Sequence, residues 1–576
     1  MKSRILQRPS PHSAELLPKA LHPVLRRVYA ARGIKNQTDL DYRLGQLLPP
    51  QTLSGLSAAA DLIINHIKSD GHIVIVGDFD ADGATSTVVA LRGLRMLGAR
   101  DVSYLVPNRF EYGYGLTPEI VELAMQRDPD LLITVDNGIA SYEGVAKARA
   151  AGIDVLVTDH HLPGLKLPDA NVIVNPNLQG EDFASKSLAG VGVIFYVIMA
   201  VRRRMREQNS FSTDDFPEPN LGSLLAYVAL GTVADVVILD RNNRILVEQG
   251  LRRIRTGDCS AGLLELINVA GKIRTSLTAT DLAFGVAPRL NAAGRMDDMT
   301  HGIECLLTND ATLAKQLTMQ LDRLNCERRD VEKNMHADAE NLLRQREWNT
   351  EDGMPAALVL HDPGWHVGVV GLLASRIKDT TNRPVIAFAD QEVDELKGSA
   401  RSVPGFHIRD ALHKLATTRP DLLQKFGGHA MAAGLSLKKS KLDEFTQEFT
   451  AIALDQLGHQ EAGKVYFSDG GLSERELTLE LAEILQFAGP WGQGFPEPLF
   501  DNKFEVVDWR VVGERHLKMT LRPCNTQHEI AAIAFNAEQP FDPGTRITAV
   551  YRLGVNDYRG TRQAQLVIEY FESAQD

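Results

Sequence analysis

Acidic residues and histidines in the first half of the chain have the types and spacing expected of a metal site. Several directly follow short apolar segments, as in IVIVGDFDADGATST (73–87). Carboxylates gathered in one place repel each other unless cations neutralise them. Carboxylate oxygens with an imidazole or two suit Mn²⁺ or Mg²⁺, and such ions can activate water for hydrolysis. The residues concerned are Asp78, Asp80, Asp82, Asp136, Asp159, His160, His161 and Asp235.

The acidic triplet within 78–82 has three competing interpretations. An EF-hand loop begins with the same pattern, but its twelfth position requires a glutamate and is Val89 here, and a strand-like segment replaces the preceding helix. A phosphatase with an aspartate nucleophile would leave the other acids and the histidine pair unexplained. A solvated acidic turn would suit a lone triplet at least as well as a metal site. The histidine pair, which directly follows another apolar segment and an aspartate, favours the metal.

The elements that must position these residues form a β-α-β alternation between residues 51 and 300. Intervening segments such as 84–98 and 117–127 have helical spacing, and Thr117 followed by Pro118 suits the start of a helix. The alternation predicts a doubly wound parallel sheet, in which ligands collect beyond the carboxyl ends of the strands. The buried strands are expected at HIVIV (72–76), DVSYLV (101–106), DLLITV (130–135), DVLVT (154–158) and NVIVN (171–175).

In the rest of the chain the pattern of apolar and polar residues changes several times, which indicates further domains. No glycine or proline occurs between Gly302 and Gly353, and leucines recur at helical spacing there, as in a long connecting helix. A second α/β unit follows, and the last part has period-two segments typical of a small, OB-like barrel. The expected divisions are an N-terminal helical arm (1–50), an α/β domain with the candidate metal ligands (51–302), the connecting helix (303–352), a smaller α/β domain (353–455) and the barrel (464–576).

Composition limits the class of protein without identifying a substrate. The 576 residues exceed what one hydrophobic core accommodates, and 44% hydrophobic with 24% charged residues is ordinary for a globular protein. The net charge of −12 gives no support for a nucleic-acid partner, but it does not exclude a local basic groove. No secretory signal or membrane-spanning run is expected. The four cysteines are widely spaced, which fits a reducing cytoplasm better than disulfides or zinc.

Taken in order, these motifs resemble the DHH phosphoesterase family. DFDADG, VDNG and DHH occur in the family's order, and GGHAMAAG (427–434) resembles the GGH motif of the associated DHHA1 domain. PRLNAAGR (288–295), the long helix and the C-terminal barrel are similar to the members that are single-strand-specific DNA exonucleases. A lone DHH tripeptide would be weak support, whereas the ordered set covers nearly the whole chain.

The resemblance implies a role for each residue of the cluster. Asp80 and Asp82 would each favour a different one of two metal ions, and Asp136 would bridge the two ions. His160 and Asp235 would complete the second site, His161 would lie over the scissile phosphate, and Asp159 would orient the cluster. Many family members have a histidine four residues before the first ligand, where this chain has Val76. The first site would therefore lack a ligand that Asp78 could replace, and the two sites would be unequal.

Substrate contacts are expected in both halves of the chain. PNRFEYGYGL (107–116) offers a basic residue among aromatics and glycines, and PRLNAAGR offers candidate phosphate ligands. The family's second domain would contribute residues of GVVGLLASRIKD (368–379) and the GGH motif. Most aromatics of the last domain, such as Trp491 and Tyr551, are expected to pack in its core. The candidate substrate-binding residues are Arg109, Arg289, Asn291, Arg295, Ser375, Arg376, Gly427, Gly428 and His429.

The resemblance implies a two-metal hydrolase of single-stranded DNA that uses Mn²⁺ or Mg²⁺, degrades 5′ to 3′, and acts in DNA repair and recombination. A cytoplasmic monomer without membrane contact is expected, with a single-strand-binding protein and a helicase as family-type partners. Two alternatives stay open at this point. The chain could be a related hydrolase of small substrates, which would not need the third domain, or an inactive scaffold, for which missing metal-site carboxylates would be the sign.

Overall fold

The structure, a computed structural model, describes most of the chain in two compact units. One unit consists of 5–294, 298–319 and 465–576, and the other consists of 1–4, 295–297 and 320–464. The described residues are 4–9, 12–108, 112, 115–212, 215–345, 354–392, 394–458, 464–513, 516–524, 526–537, 542, 544–558 and 560–574.

The larger unit begins with alternating strands and helices. The strands are β1 (Arg4–Gln7), β2 (Ile73–Val76), β3 (Val102–Leu105), β4 (Leu131–Val135), β5 (Asp154–Thr158) and β6 (Val172–Val174). The helices are α1 (Pro23–Ala30), α2 (Leu56–Lys68), α3 (Ala81–Met96), α4 (Pro118–Met125), α5 (Tyr142–Ala150), α6 (Gly190–Glu207), α7 (Leu225–Ala234), α8 (Arg241–Thr256), α9 (Ala261–Val269), α10 (Ala279–Asp281), α11 (Ala287–Met296) and α12 (Thr300–Leu307). A π-helical turn, Leu282–Val286, separates α10 from α11.

Strands β2 to β6 form the parallel sheet that the sequence predicts. Their order is β3-β2-β4-β5-β6, so the direction of winding reverses between β2 and β4. One face packs on α4 and α5 through a core that includes Val74, Leu132, Val145 and Val157. Because both faces are covered, β2 and β4 are buried along their whole length and read as continuous apolar runs.

The N-terminal segment predicted to be a helical arm contains one strand as well as a helix. Strand β1 pairs with β12 (Val465–Ser468) in a two-stranded sheet. After α1, the guanidinium of Arg32 donates to both carboxylate oxygens of Asp469 at 2.8 and 2.9 Å. The Tyr29 hydroxyl donates to the Ala488 carbonyl at 2.7 Å. These contacts tie the segment to residues that precede the C-terminal barrel.

The predicted connecting helix begins later than expected and has a separate helix before it, and its predicted end lies outside the described residues. Helix α12 ends at Leu307, and α13 (Ala311–Gln345) begins after Asp310, whose side chain accepts a hydrogen bond from the Leu313 amide at 2.7 Å. An aspartate at this position stabilises a new helix start and explains the break. The 35 residues of α13 give a helix of roughly 52 Å.

The smaller unit contains a second α/β arrangement. Its strands β7 (Leu358–His361), β8 (Val385–Glu392), β9 (Glu395–Arg401), β10 (Lys425–Gly428) and β11 (Ala432–Lys438) have the order β10-β11-β9-β8-β7. Only β7 and β8 are parallel among these described neighbours. Helices α14 (Val370–Thr381), α15 (Ile408–Thr418) and α16 (Leu442–Leu457) accompany the sheet, and Phe388, Phe445 and Phe449 are buried in its core.

A closed barrel ends the chain, as the sequence predicts. Helix α17 (Leu479–Phe487) precedes β13 (Phe500–Val512), β14 (His516–Pro523), β15 (Ile530–Ala534), β16 (Arg546–Tyr558) and β17 (Thr561–Ser573). The strands close in the order β13-β14-β15-β17-β16. Trp491 and Tyr551 are buried, so their predicted packing in the core is confirmed, whereas Trp509 is half-buried. Within the described ranges, none of the helices combines the length and apolar character required to cross a membrane.

Candidate metal centre

The carboxyl ends of three adjacent strands meet at one edge of the parallel sheet. In the ladder, Val76 of β2 lies beside Thr134 of β4, and Val135 of β4 lies beside Thr158 of β5. The residues that follow these strands therefore leave the sheet side by side. The edge lies where the strand order reverses, which is the position at which α/β sheets bind ligands.

The structure gathers the predicted metal ligands there in overlapping groups. Within each group, one ligand atom from every member lies within 4.8 Å of the others. The groups are Asp78 with Asp80 and Asp136, Asp82 with His160 and Asp235, and Asp136 with His160 and His161. Because Asp136 and His160 each belong to two groups, the cluster has the arrangement needed for two neighbouring ions.

Backbone amides fix the two carboxylates at the start of α3. The Asp80 side chain is the N-cap of α3 and accepts hydrogen bonds from the amides of Asp82 and Gly83 at 2.9 and 3.0 Å. Asp82 is buried, and its two oxygens accept from the amides of Gly190 and Val191 at 2.7 and 3.0 Å. Those amides form the N-terminus of α6, whose dipole stabilises a negative charge. The helix starts therefore hold both carboxylates in fixed orientations.

Two glycines make room for the carboxylates. A Cβ atom added at Gly190 would lie 2.5 Å from an Asp136 oxygen, and one added at Gly231 would lie 2.8 Å from an Asp82 oxygen. Both separations are too short for real side-chain contacts. The close approach of α6 and α7 to the cluster therefore requires glycine at these positions.

The backbone is strained at two places in the cluster. Asp136 has φ of +63°, in the left-handed region, and so does Val236, with φ of +58°, directly after Asp235. A β-branched residue such as valine rarely adopts this conformation, and each such residue costs about 1–3 kcal/mol. Such strain is concentrated at functional sites because the surrounding structure must enforce it.

The donor set fits a divalent cation. The Nε2 atom of His160 lies 3.1 Å from an Asp136 oxygen and 3.5 Å from an Asp235 oxygen. This Nε2 atom and Asp235 Oδ2 are buried and make no hydrogen bond with other described residues. A buried polar atom without a hydrogen bond is costly, and an ion coordinated by both would satisfy them. Hard carboxylate oxygens with one imidazole are the ligands that Mn²⁺ and Mg²⁺ accept.

The electrostatics of the cluster also favour a cation. Burial, together with the Asp235 carboxylate, raises the pKa of Asp82 to about 7. Burial and the Asp80 carboxylate likewise raise the pKa of Asp235 to about 7. The pKa of Asp136 rises well above its ordinary value because of burial and the charges of Asp82 and Asp80. Without an ion, the carboxylates resist simultaneous ionisation, which is the state that an added cation would stabilise.

His161 has a different environment from His160. Burial alone would lower the pKa of His161, but its hydrogen bond with Asp159 and the neighbouring carboxylates raise that pKa to about 9. The Nδ1 atom of His161 lies 2.7 Å from Asp159 Oδ1, while Asp159 Oδ2 accepts from the Ile139 amide at 2.9 Å. In the metal-free protein, Asp159 thus orients the His161 ring and favours its protonated form at neutral pH. By contrast, burial and the charge of His161 lower the pKa of His160.

Comparison with known proteins agrees with this geometry. Residues 72–232 match the DHH family, N-terminal domain, residues 354–455 match the DHHA1 domain, and residues 468–570 match the RecJ OB domain. The single-stranded-DNA-specific exonuclease RecJ of Dickeya dadantii is 50% identical over 96% of both chains. The chain belongs to the RecJ family.

Further RecJ proteins support this membership over the whole fold. The single-stranded-DNA-specific exonuclease RecJ of Escherichia coli is 48% identical over 96% of both chains. The crystal structure of RecJ from Thermus thermophilus in complex with Mn²⁺ is similar with a TM-score of 0.82 at 30% identity, and covers 100% of this chain and 80% of that one. The predicted fold class, with its parallel-sheet domain, long helix, smaller α/β domain and barrel, is confirmed.

Two predicted phosphate ligands of this RecJ-family chain instead contact the backbone. Asn291 Oδ1 accepts a hydrogen bond from the Ala81 amide at 2.8 Å, so it supports the loop that carries Asp80 and Asp82. Arg289 is buried, and its guanidinium donates to the Gly285 carbonyl at 2.6 Å. For both side chains, the structure gives an architectural contact, and their roles in substrate binding remain predictions.

The other predicted substrate contacts lie in the smaller unit or outside the described residues. The Arg376 guanidinium, on α14, donates to Glu332 at 2.7 Å, and Arg295 donates to the Gly368 carbonyl at 3.2 Å. Ser375 is half-buried on α14, and Gly427 and Gly428 end β10, followed by His429, whose amide donates to the Ala432 carbonyl at 2.7 Å. Arg109 lies outside the described residues. These assignments also remain predictions.

Three asparagines beside the cluster are not among the predicted site residues, although Asn137 lies in the VDNG motif. The buried Asn137 amide donates to the carbonyls of Val76 and Val135 at 3.1 and 2.9 Å, and thereby links the ends of β2 and β4. Asn175 and Asn177 follow β6 and contact the histidine pair. The motif NPN reads as a turn, so only its position directly after an edge strand could have drawn attention to it.

Proposed function

We propose that this chain is a metal-dependent exonuclease that hydrolyses phosphodiester bonds of single-stranded DNA, with Mn²⁺ or Mg²⁺ as its cofactor. The observation that carries the proposal is the grouping of ligand atoms on both sides of Asp136, beside a protonated His161. Membership of the RecJ family supports the choice of substrate, because the relatives named above are single-stranded-DNA-specific exonucleases.

In this proposal, the two ions have unequal ligand sets. Asp78 and Asp80 would hold one ion and Asp82, His160 and Asp235 the other, with Asp136 between them. Two divalent cations would supply an activated water and neutralise charge on the scissile phosphate. The first set contains carboxylates alone, since this chain has Val76 where the resemblance to the DHH family implies a histidine. We expect this all-oxygen site to be the one more sensitive to metal concentration.

The residues of the chain would then orient and complete the reaction. Asp159 fixes the His161 ring through the 2.7 Å contact, so that its second ring nitrogen can face the phosphate. In the metal-free protein, the hydrogen bond with Asp159 and nearby carboxylates raise the pKa of His161 to about 9, and the Asp159 contact would favour a positively charged ring at neutral pH. A fixed positive charge would stabilise the developing charge on the phosphate, or the ring would donate a proton to the leaving oxygen.

Digestion of end-labelled single-stranded DNA in Mn²⁺ or Mg²⁺, with wild type beside Asp136→Ala, tests this function. We expect the wild type to release nucleotides from one end and the variant to be inactive. Full activity of Asp136→Ala would contradict the role of Asp136 between the ions. Absence of digestion by both proteins would instead favour an inactive scaffold.

A hydrolase of small substrates is separated from an exonuclease by substrate length. A DNA exonuclease should keep long single strands engaged over many cleavages, and the barrel would provide extra binding surface for them. Rapid hydrolysis of dinucleotides, with release of long strands after one cleavage, would identify the small-substrate enzyme.

The finer parts of the proposal rest on the family. We propose 5′-to-3′ polarity, a role in DNA repair and recombination, and activity as a cytoplasmic monomer that works beside a helicase and a single-strand-binding protein. Labelling the 5′ end in one assay and the 3′ end in another tests the polarity. Light scattering of the purified protein tests the oligomeric state.

A further inference from the structure

The turn after β6 holds the backbone of the histidine pair. The Asn177 amide group donates to the His160 carbonyl at 2.6 Å, and the Asn175 amide group donates to the His161 carbonyl at 2.9 Å. Asn175 Oδ1 also accepts a hydrogen bond from the backbone N–H of Asn177 at 2.8 Å, which fixes the Asn175 side chain against the turn. One short turn therefore contacts both histidines.

Asp159 holds the opposite side of the same two residues. Its Oδ1 atom accepts from the backbone amides of His160 and His161 at 2.7 and 3.1 Å, in addition to its contact with the His161 ring. The amides of the pair are thus bound by a carboxylate and the carbonyls by two carboxamides. Both peptide groups are fixed by side chains, although the regular ladder of β5 ends at Thr158.

The position of the turn explains why side chains, and not a neighbouring strand, hydrogen-bond to the backbone of the histidine pair. Strand β6 is at the edge of the sheet and ends at Val174, so it offers no further backbone groups beside the histidines. Asn175 is fully buried, and Asn177 is half-buried. A buried carboxamide with directed hydrogen bonds is a rigid support, since movement would leave polar groups without partners.

We infer that Asn175 and Asn177 are positioning residues that set the metal affinity and the turnover of the site through the backbone of His160 and His161. This inference rests on the proposed function, because it assigns His160 to an ion and His161 to the phosphate. Removal of groups that hydrogen-bond to metal ligands without contacting the ion typically lowers metal affinity or activity by about 10–100-fold. Neither asparagine contacts the ligand atoms, so their effect passes through the main chain.

The test replaces each asparagine by leucine, which keeps the branching of the side chain and removes both its donor and its acceptor, and by alanine, which does so without added volume. We expect Asn177→Leu and Asn175→Leu to weaken Mn²⁺ binding by about 10–100-fold, measured by calorimetry on metal-free protein without DNA. At saturating Mn²⁺, kcat on single-stranded DNA should fall by about tenfold or more, with KM unchanged. Should Asn175→Leu fail to fold, the half-buried Asn177→Leu and Asn177→Ala variants carry the test.

Asn171 provides the matched control, because it lies at the other end of the β6 segment. Its side chain accepts from the Val155 amide at 2.7 Å and donates to Asp154 at 2.5 Å. Asn171→Leu should lower Tm without changing Mn²⁺ affinity or kcat. The inference would be overturned if Asn175 and Asn177 variants also lost only thermal stability. Calorimetry keeps this result separate from the nuclease assay, since Mn²⁺ binding is measurable even if DNA proves not to be the substrate.

Discussion

The two ends of the parallel sheet use the same residue types for opposite purposes. At the carboxyl end, burial and the charges of neighbouring carboxylates raise the pKa values of Asp82, Asp136 and Asp235. At the amino end, Asp154 lies 3.0 Å from His66 Nε2 and accepts from Asn171. Asp130 accepts there from the His72 amide at 2.7 Å, and the His72 ring contacts Ser103 at 2.8 Å.

The two ends of the sheet contain the same residue types, but the acids at each end have different interaction partners. Each acid of the amino end faces donors that the chain itself provides, so no added cation is needed. At the carboxyl end, the acids face one another, and burial prevents water from screening their repulsion. An aspartate beside a histidine is therefore informative only when the strand direction places several acids on the same edge.

The largest expected effect is the loss of activity when one carboxylate of the carboxyl end is neutralised. Asp136→Asn should lower kcat on single-stranded DNA by roughly 10³-fold, because metal-assisted charge stabilisation amounts to several kcal/mol. Asparagine tolerates the left-handed backbone at this position, so the fold should be retained. Asp154→Asn, at the amino end, should leave kcat almost unchanged. Equal losses from the two variants would remove the functional distinction between the ends.

The second prediction compares two histidines that each contact an aspartate. His161→Gln should lower kcat by about 10²-fold, the usual contribution of a positioned acid or base, with little change in Mn²⁺ affinity. His66→Gln, which disturbs the contact with Asp154, should affect Tm alone. Steady-state kinetics and calorimetry on both variants make the check. A His161→Gln enzyme with normal kcat would contradict the role of the imidazolium.

A third prediction sharpens the inequality of the two ion sites. Asp78→Asn removes a charge from the all-carboxylate group and should raise the Mn²⁺ concentration for half-maximal activity by about tenfold. At high Mn²⁺, most activity should return, because Asp80 and Asp136 remain. Asp130→Asn is the control at the amino end and should leave the metal dependence unchanged. Failure of high Mn²⁺ to restore Asp78→Asn would indicate a role beyond ion binding.

The smallest effect concerns the stability of metal-free protein. Asp82 and Asp235 have pKa values of about 7 in the fold against 3.8 ordinarily, so the folded state holds more protons than the unfolded chain between pH 4 and 7. Stability should therefore fall as pH rises through this window. His161, with its pKa raised to about 9, acts in the same direction at higher pH. Thermal unfolding should show a lower Tm at pH 8 than at pH 5.5, and added Mn²⁺ should reduce the difference.

The sequence was most informative where one strand end determines the position of a side chain. Asp136 and Asp159 could be placed at the same edge because the apolar runs before them predict adjacent parallel strands. Asp235 could be proposed only as a buried acid in an apolar run, and the structure places it at the end of helix α7. The absence of glycine and proline predicts the long helix, but that pattern does not mark the new helix start after Asp310.

Other residues could not be predicted, because their partners are distant in sequence. The resemblance assigns Arg289 and Asn291 to phosphate, which stays a prediction, but nothing in the sequence indicates that Asn291 contacts Ala81, 210 residues away. The supports from Asn175 and Asn177 depend on the pairing of β5 with β6, which brings separate turns together. Strands β9 to β11 were not predicted individually, since antiparallel pairing in the second domain has a weaker sequence pattern than the buried parallel strands.

The left-handed backbone of Asp136 limits which substitutions at this position leave the fold intact. Among other residues, only asparagine and glycine accept this conformation readily. The genetic code places both a single base change away from aspartate. If Asp136 has the proposed role, one base change at this codon would remove the activity while leaving the fold intact. A folded but inactive descendant of this chain would therefore require only one base change, although the site contains many acidic residues.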